Sequence, residues 1–414
     1  MTARKKIAII GSGISGLTCA YHLADKADIT VFEASDYIGG HTHTVAVEKE
    51  GERSSIDTGF IVFNDRTYPE FMRLIKELGV SYQPTEMSFS ARNDALNLEY
   101  NGNNLNTLFA QRTNLFRPLF LRLVLDILRF NKDVRKEKNR ANDTTIGEYL
   151  ENTKYSTVFK YNYLLPMVAA IWSMGPESCL EFPLQFFVRF FDNHGLLDLT
   201  NRPQWFTIRG GSSSYIEPLT QAFREKIKLA TPITRIERQE GGVLVATVNK
   251  TFLFDEVILA CHGDQALSLL SHPTAEEKTV LEAFQFIDNT VVMHTDTALL
   301  PKRKSAWASW NYRVDNSANS RTTLTYNMNI LQRLNKKHTY LVTLNQDIDE
   351  QHVLGRFTYS HPVYTKAAIA AQQQWHTISG VKNIHYCGAY WFNGFHEDGV
   401  RSALRVVKRL EGSK

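Results

Sequence analysis

Nowhere in the chain do about 18 uninterrupted apolar residues occur, so no membrane-spanning helix is expected. Cysteine is scarce: Cys19, Cys179, Cys261 and Cys387 are scattered, with no CxxC pair and no histidine at zinc-ligand spacing. Their spread excludes a disulfide framework and a thiolate metal site, and points to a reduced, metal-free, cytoplasmic protein. An excess of one charge is lacking too. Lys plus Arg number 47 against 43 Asp plus Glu, a formal net charge of +4, which is not the cationic field of a general nucleic-acid binder. No internal repeat or low-complexity linker interrupts the chain. Arg4, Lys5 and Lys6 imitate the start of a secretory leader, but the apolar run after them ends at Ile10, too short for a leader's hydrophobic region.

What the chain has is length and apolar content: 414 residues, 43% hydrophobic, enough for a large core shared by two associated domains. Ile7-Ala8-Ile9-Ile10 reads as a strand buried on both faces. Ile14, Leu17, Tyr21 and Ala24 follow at helical spacing, and Ile29 to Glu33 returns to a β-branched, aromatic strand. Between strand and helix, Gly11-Ser12-Gly13-Ile14-Ser15-Gly16 spells GxGxxG. Gly11 permits the tight turn, Gly13 lets the backbone approach a pyrophosphate, and Gly16 allows close helix-to-strand packing. Free N–H groups and the helix dipole stabilise the phosphate charge. Glu33 closes the second strand, where its carboxylate accepts hydrogen bonds from an adenosine ribose and repels a 2′-phosphate. This fingerprint marks a dinucleotide site without separating NAD from FAD.

Further runs carry that choice. Gly39-Gly40-His41-Thr42 comes soon after Glu33, and Ile56-Asp57-Thr58-Gly59-Phe60 follows. Near the end, Ile384 to Gly388 precedes Asn393-Gly394-Phe395-His396-Glu397-Asp398-Gly399-Val400. Val400, Ala403, Leu404, Val407 and Leu410 then form one helical stripe, which places Gly399 at a helix N-terminus. In these runs the chain resembles the flavin-containing amine oxidase superfamily, with its protoporphyrinogen oxidases and phytoene desaturases. That superfamily's second glycine motif reads GGRxxS/T, and His41 stands here in place of the arginine. The resemblance implies non-covalent FAD, gripped by the six residues from Gly11 to Gly16 and by Glu33, Ala34, Gly40, His41 and Thr42. It adds Thr58, Gly59 and Phe60 against the flavin ring, Ile233 reading adenine through its backbone, and Gly388, Ala389, Gly399 and Val400 at the closing helix. Ala389 occupies a position where the superfamily often has an acid. A narrower likeness is to a bacterial branch of FAD-dependent oxidoreductases, similar to the N-terminal flavin domain of plant cyclopropane fatty acid synthases.

The expected fold is therefore α/β: a discontinuous Rossmann-like FAD-binding domain at 1–64, 205–276 and 375–414, with an α+β substrate domain inserted at 65–204 and 277–374. The first excursion reads as helical. The second holds alternating strands such as Thr322 to Tyr326 and Tyr340 to Leu344, and Tyr215 to Lys228 reads as a helix between the two.

The activity expected is hydride transfer to FAD from a C–H bond of an apolar organic substrate, a fatty acyl chain. A double-bond isomerase of unsaturated fatty acids, an amine oxidase and a non-catalytic, FAD-containing lipid-binding module are the alternatives. Against amines, the strand lysine that holds water near the flavin in the superfamily's amine oxidases is missing from Ile287 to His294. Candidate catalytic residues are His396, because imidazole titrates near neutrality, Glu397, which either orients a reacting group or pairs with Arg401, and Phe395 as an aromatic wall. Asp398 reads as a helix N-cap. Tyr359, His361, Tyr390 and Trp391 are candidates for the pocket, and Arg209 for the missing motif arginine. Asn106 to Arg140 interleaves Phe116, Leu119, Leu125 and Leu128 with Arg112, Arg117, Arg122 and Arg129. That is the pattern of an interfacial helix, so peripheral contact with an anionic membrane is expected. Phe182, Phe186, Phe187, Phe190 and Phe191 read as the wall of a dry channel. Neither a metal nor a nucleic-acid partner is expected.

Overall fold

The computed structural model describes residues 4–138, 144–172, 174–198, 200–314 and 323–412. Arg140 of the basic segment and Thr322 of an expected strand lie outside these residues.

Lys6–Ile10 forms the middle of a five-stranded parallel sheet. Asp28–Phe32 and Ile227–Lys228 lie on one side of it, Glu256–Leu259 and Ile384–Tyr386 on the other. The continuous apolar runs have their cause here, since helices cover both faces and every residue of Glu256–Leu259 is buried. Helix Ile14–Leu23 packs against the last helix, His396–Gly412, along one face of that sheet. A three-stranded antiparallel sheet, Ile233–Gln239, Gly242–Thr247 and Thr251–Phe254, is spliced into the same layer system.

The second sheet has seven strands in the order Val353–Val363, Gln285–His294, Leu341–Leu344, Leu324–Asn327, Trp310–Arg313, Phe89–Asn93, Leu98–Asn101. Helix Leu165–Trp172 packs on it, and helices Pro118–Asp133 and Leu184–Asn193 share its core.

Local readings were corrected in three places. The stretch after Asn64 is not wholly helical: Tyr82–Thr85 and Phe89–Asn93 are strands recruited by distant hydrogen-bond partners, such as Trp310–Arg313 parallel to Phe89–Asn93, and Leu98–Asn101 pairs back onto Phe89–Asn93. Phe71, Leu74 and Ile75 of helix Pro69–Glu77 belong to the first core, together with Ile9 and Val400. Tyr215 to Lys228 is no single helix. It breaks into Ser212–Tyr215, Ile216–Thr220 and Arg224–Lys226, and Lys228 ends in the parallel sheet beside Phe32.

Candidate cofactor and substrate cavity

A cavity of about 800 Å³ runs from the first glycine turn, between the two sheets, to Tyr100 and Gly102. At its first end Gly11 adopts φ +107°, and its N–H donates to the Phe32 carbonyl at 2.8 Å. Gly16 is pressed so close that a Cβ there would sit 2.0 Å from the Gly11 carbonyl oxygen. Gly13 is the opposite case. A Cβ on it would meet nothing within 4 Å, because it faces the cavity at the start of helix Ile14–Leu23. Space for a phosphate lies where the helix amides and dipole attract one.

Glu33, Ala34 and Ile233 line the same end. The Ser12 N–H (2.8 Å) and hydroxyl (2.6 Å) donate to one Glu33 oxygen, and the Ser35 N–H donates to the other at 2.9 Å. Ser12 is fully buried and holds the carboxylate from behind, while Ile14 and Ser15 stand on the wall. The second glycine turn closes over the first: Gly39 and Gly13 pair as an isolated bridge, and a Cβ on Gly40 would lie 3.2 Å from the Gly13 Cα.

Farther along, Thr58, Gly59, Phe60, Gly388, Ala389, Phe395 and His396 line the cavity. The Phe60 N–H donates to the His41 carbonyl at 2.8 Å, and the Phe60 ring stacks on His396 with centroids 3.6 Å apart. Thr42 lies behind the wall, bonded to Tyr215 and His396. The closing helix starts at His396, three residues earlier than the apolar stripe indicates, so Gly399 ends its first turn, Val400 begins the second, and both are off the cavity wall. Gly399 is needed for packing instead: a Cβ there would lie 2.6 Å from Ile14 Cγ2. The amides nearest the cavity are those that open the helix at His396.

The catalytic candidates divide. Phe395 lines the cavity and stacks on Phe190 at 4.9 Å. His396 also lines it, but its Nε2 is 2.7 Å from the Tyr215 hydroxyl. Burial, and then His41 nearby, hold its pKa well below the usual histidine value. It is a neutral, fixed wall residue and not a titrating acid or base near neutral pH. Glu397 turns away from the cavity. Its carboxylate accepts the Glu70 and Phe71 N–H groups at 3.2 and 2.9 Å, capping helix Pro69–Glu77, and Arg401 pairs with Asp398 instead. Asp398 in turn ties the preceding bend through the Asn393 and Phe395 amides, with burial raising its pKa to about 7. Arg209 is exposed and off the cavity, so it does not replace the motif arginine.

His41 itself sits among rings, 5.9 Å from His262, 5.7 Å from His361 and 5.3 Å from Tyr359. All four line the cavity. Burial pushes His41 down to about 4, with His262 adding to the effect. His262 falls to about 4 and His361 to about 3 for the same first reason. The cluster is neutral at pH 7, and His41 Nε2 is buried without a partner. Tyr359 and His361 were legible as pocket candidates; His262 was missed, although it follows a parallel strand's carboxyl end, where open α/β sheets place ligands.

Beyond this cluster the wall is apolar, formed by Met87, Phe89, Tyr100, Met167, Ile171, Trp172, Phe190 and Trp310. Of the phenylalanine cluster only Phe190 reaches the cavity. Phe182 and Phe186 pack against Trp172 and Phe187 and Phe191 against each other in the second core, because helix Leu184–Asn193 buries most of its circumference. Tyr390 lines the cavity and Trp391 lies behind it.

The family model for flavin containing amine oxidoreductases matches residues 14–328. The chain belongs to that family. FAD is its cofactor, and the open space at Gly13, the tethered Glu33 and the unpartnered His41 Nε2 fit such a group. Three relatives illustrate the spread of chemistry. Against the 15-cis-phytoene desaturase of Synechococcus elongatus the chain is 37% identical over 76 residues, 18% of this chain and 15% of that protein. The solved cyclohexylamine oxidase from Brevibacterium oxydans IH-35A shares the fold with a TM-score of 0.67 at 16% identity, covering 99% of this chain and 100% of that one. A CLA-producing fatty acid isomerase from P. acnes does so with a TM-score of 0.70 at 15% identity, covering 98% of each. The chain spans less than half the length of the curated relatives it matches. One fold thus serves an amine oxidase and a fatty acid isomerase.

Proposed function

We propose that the protein is an FAD-dependent oxidoreductase that takes a hydride from a C–H bond of a fatty acyl chain. The apolar half of the cavity carries this reading: aromatic and thioether side chains wall it, and Glu33, at the far dinucleotide end, is the cavity's one lining carboxylate among the described residues. A protonated amine finds no counter-ion there, and the strand Gln285–His294 carries no lysine. The first core is assigned to FAD and the second to substrate, following the division read from the sequence.

Bound FAD supplies the hydride acceptor. The chain's residues supply position and dryness. Phe395, braced by Phe190, holds the substrate against the Phe60 and Thr58 wall, and the ring stack of Phe60 on His396 fixes that wall's plane. The amides opening helix His396–Gly412 stabilise negative charge beside them by about 0.3–1 kcal/mol. The same residues serve a double-bond isomerase, a reading supported by the likeness in fold to the fatty acid isomerase.

We also propose that the substrate is met at a membrane surface. Among the described residues no helix is long and apolar enough to cross a membrane, yet Leu105, Leu115, Phe116, Leu119, Leu121, Leu125 and Leu128 are all exposed, Phe116 at 86%. This stretch continues from Gly102, on the cavity wall. Its arginines are less free than their spacing indicates: Arg117 donates to the Leu96 and Asn97 carbonyls and Arg122 pairs with Asp126. The apolar side chains therefore carry the contact.

The test is anaerobic mixing of the FAD-loaded protein with oleic and linoleic acids and, separately, with primary amines. An oxidoreductase bleaches its flavin absorbance with an acyl compound, and an isomerase shifts the double bond with no net bleaching. Bleaching by amines alone would overturn the acyl reading.

A further inference from the structure

An acyl chain has one polar end, and the cavity has one permanently charged cation to meet it. Among the residues lining the cavity, Arg202 is the single lysine or arginine. It lies just before strand Trp205–Ile208, exposed at the mouth where His194, Leu196 and Trp205 also reach the wall. Its Nε donates to the Asp198 carbonyl at 3.0 Å, which fixes the direction of the guanidinium and leaves both terminal nitrogens without a partner among the described residues.

The nearby acids are committed elsewhere. The Asp198 carboxylate pairs with Arg135 at 2.5 Å, and Asp65 accepts the Gln204 N–H at 3.1 Å. A second cation stands close: Arg66 donates to the Asn201 carbonyl, and its Nη1 lies 3.2 Å from where a Cβ on Gly195 would be. His194 contributes no charge, because burial pushes it down to about 4 against the opposing effect of the Phe190 carbonyl, 2.9 Å from its Nδ1. An anion at this mouth meets two guanidinium groups, with the Asp198 charge offset by Arg135. Immediately inside, Phe190 and Phe395 begin the apolar wall, with Phe395 5.9 Å from His194, ring to ring.

We infer that Arg202 binds the carboxylate of a free carboxylic acid, so that the substrate enters as an unesterified fatty acid with its chain running past Phe395. This assignment rests on the acyl-chain reading of the cavity and narrows it. The planar guanidinium offers two parallel N–H donors to a carboxylate. An ester of the same chain loses that charge, and an amine brings the wrong one. The carboxylate thereby sets how far along the chain the reacting carbon lies.

Titrations of the FAD-loaded protein with oleate, methyl oleate and oleylamine, read by perturbation of the flavin absorbance, test the assignment. Oleate is expected to bind at least about tenfold more tightly than methyl oleate. Arg202→Gln removes that preference, weakening oleate while leaving methyl oleate unchanged, and Arg202→Lys restores part of it. Because Arg202 is exposed, the variants fold, and their flavin content verifies this. Equal binding of oleate and methyl oleate, with Arg202→Gln altering neither, overturns the role of Arg202 and leaves the acyl reading standing. Binding of oleylamine alone overturns both.

Discussion

The two ends of the cavity are built by different means. At the dinucleotide end the backbone does the recognition, so the residues that matter are those that let the backbone come close: Gly11 at φ +107°, Gly13 open to the cavity, Gly40 against Gly13. They fall within 30 residues of one another. At the substrate end the wall is made of side chains from helix Leu165–Trp172, from strands Phe89–Asn93 and Leu98–Asn101, and from Trp310, none adjacent to the others in sequence. Backbone recognition needs particular residues at particular spacings and conserves a signature; a greasy wall needs only bulk and can be assembled from anywhere.

The sharpest way to break this contrast lies within the glycine motif. Gly16→Val drives a side chain into the Gly11 carbonyl and is expected to abolish soluble expression, whereas Gly13→Val should fold and purify colourless, melting within about 3 °C of FAD-free wild type. Stoichiometric FAD in Gly13→Val would show that the pyrophosphate lies elsewhere. Next in size is the membrane face. The double variant Phe116→Asp, Leu125→Asp should no longer float with anionic liposomes, while Val248→Asp, 75% exposed in the turn between strands Gly242–Thr247 and Thr251–Phe254, should float like wild type. Identical flotation of all three removes the proposed docking face.

Smaller effects refine the dinucleotide end. Glu33→Gln should weaken FAD by about 1.5–3 kcal/mol, roughly ten- to a hundredfold, as measured by fluorescence titration. The histidine cluster gives the mildest test. His41 has a folded-state pKa of about 4, against about 6.5 in the unfolded chain. Its contribution to stability is therefore complete above about pH 6.5 and is lost as pH falls towards 4. Asp398 works in the opposite sense, since its folded pKa of about 7 costs stability as pH rises, so wild type alone does not reveal the sign. Comparing melts of FAD-free His41→Gln and wild type does: the variant should gain about 2 kcal/mol, near 2 °C, relative to wild type between pH 7.5 and pH 5. A pH-independent difference would mean that His41 titrates normally.

The parallel sheet and the phosphate turn were determined by the sequence itself. Their signals are local: an apolar run of Ile7 to Ile10, three glycines at fixed offsets, an acid closing the next strand, and a hydrogen-bonding geometry that tolerates nothing else. The same locality failed at the closing helix, where the apolar stripe pointed to Gly399 while the helix begins at His396, because the first turn buries His396, Glu397 and Asp398 through tertiary hydrogen bonds that no periodicity reports. Tertiary structure alone decided that Glu397 caps helix Pro69–Glu77 some 326 residues earlier in the chain. It decided that Phe190 reaches the cavity while Phe187 and Phe191, one helical turn or less away, fill the core. It also decided that His262 and His361 gather around His41, and that Arg202 reaches the cavity with no carboxylate paired to it among the described residues. A residue's type is written in the chain, but whether a polar group is left free depends on which partners the rest of the fold brings to it.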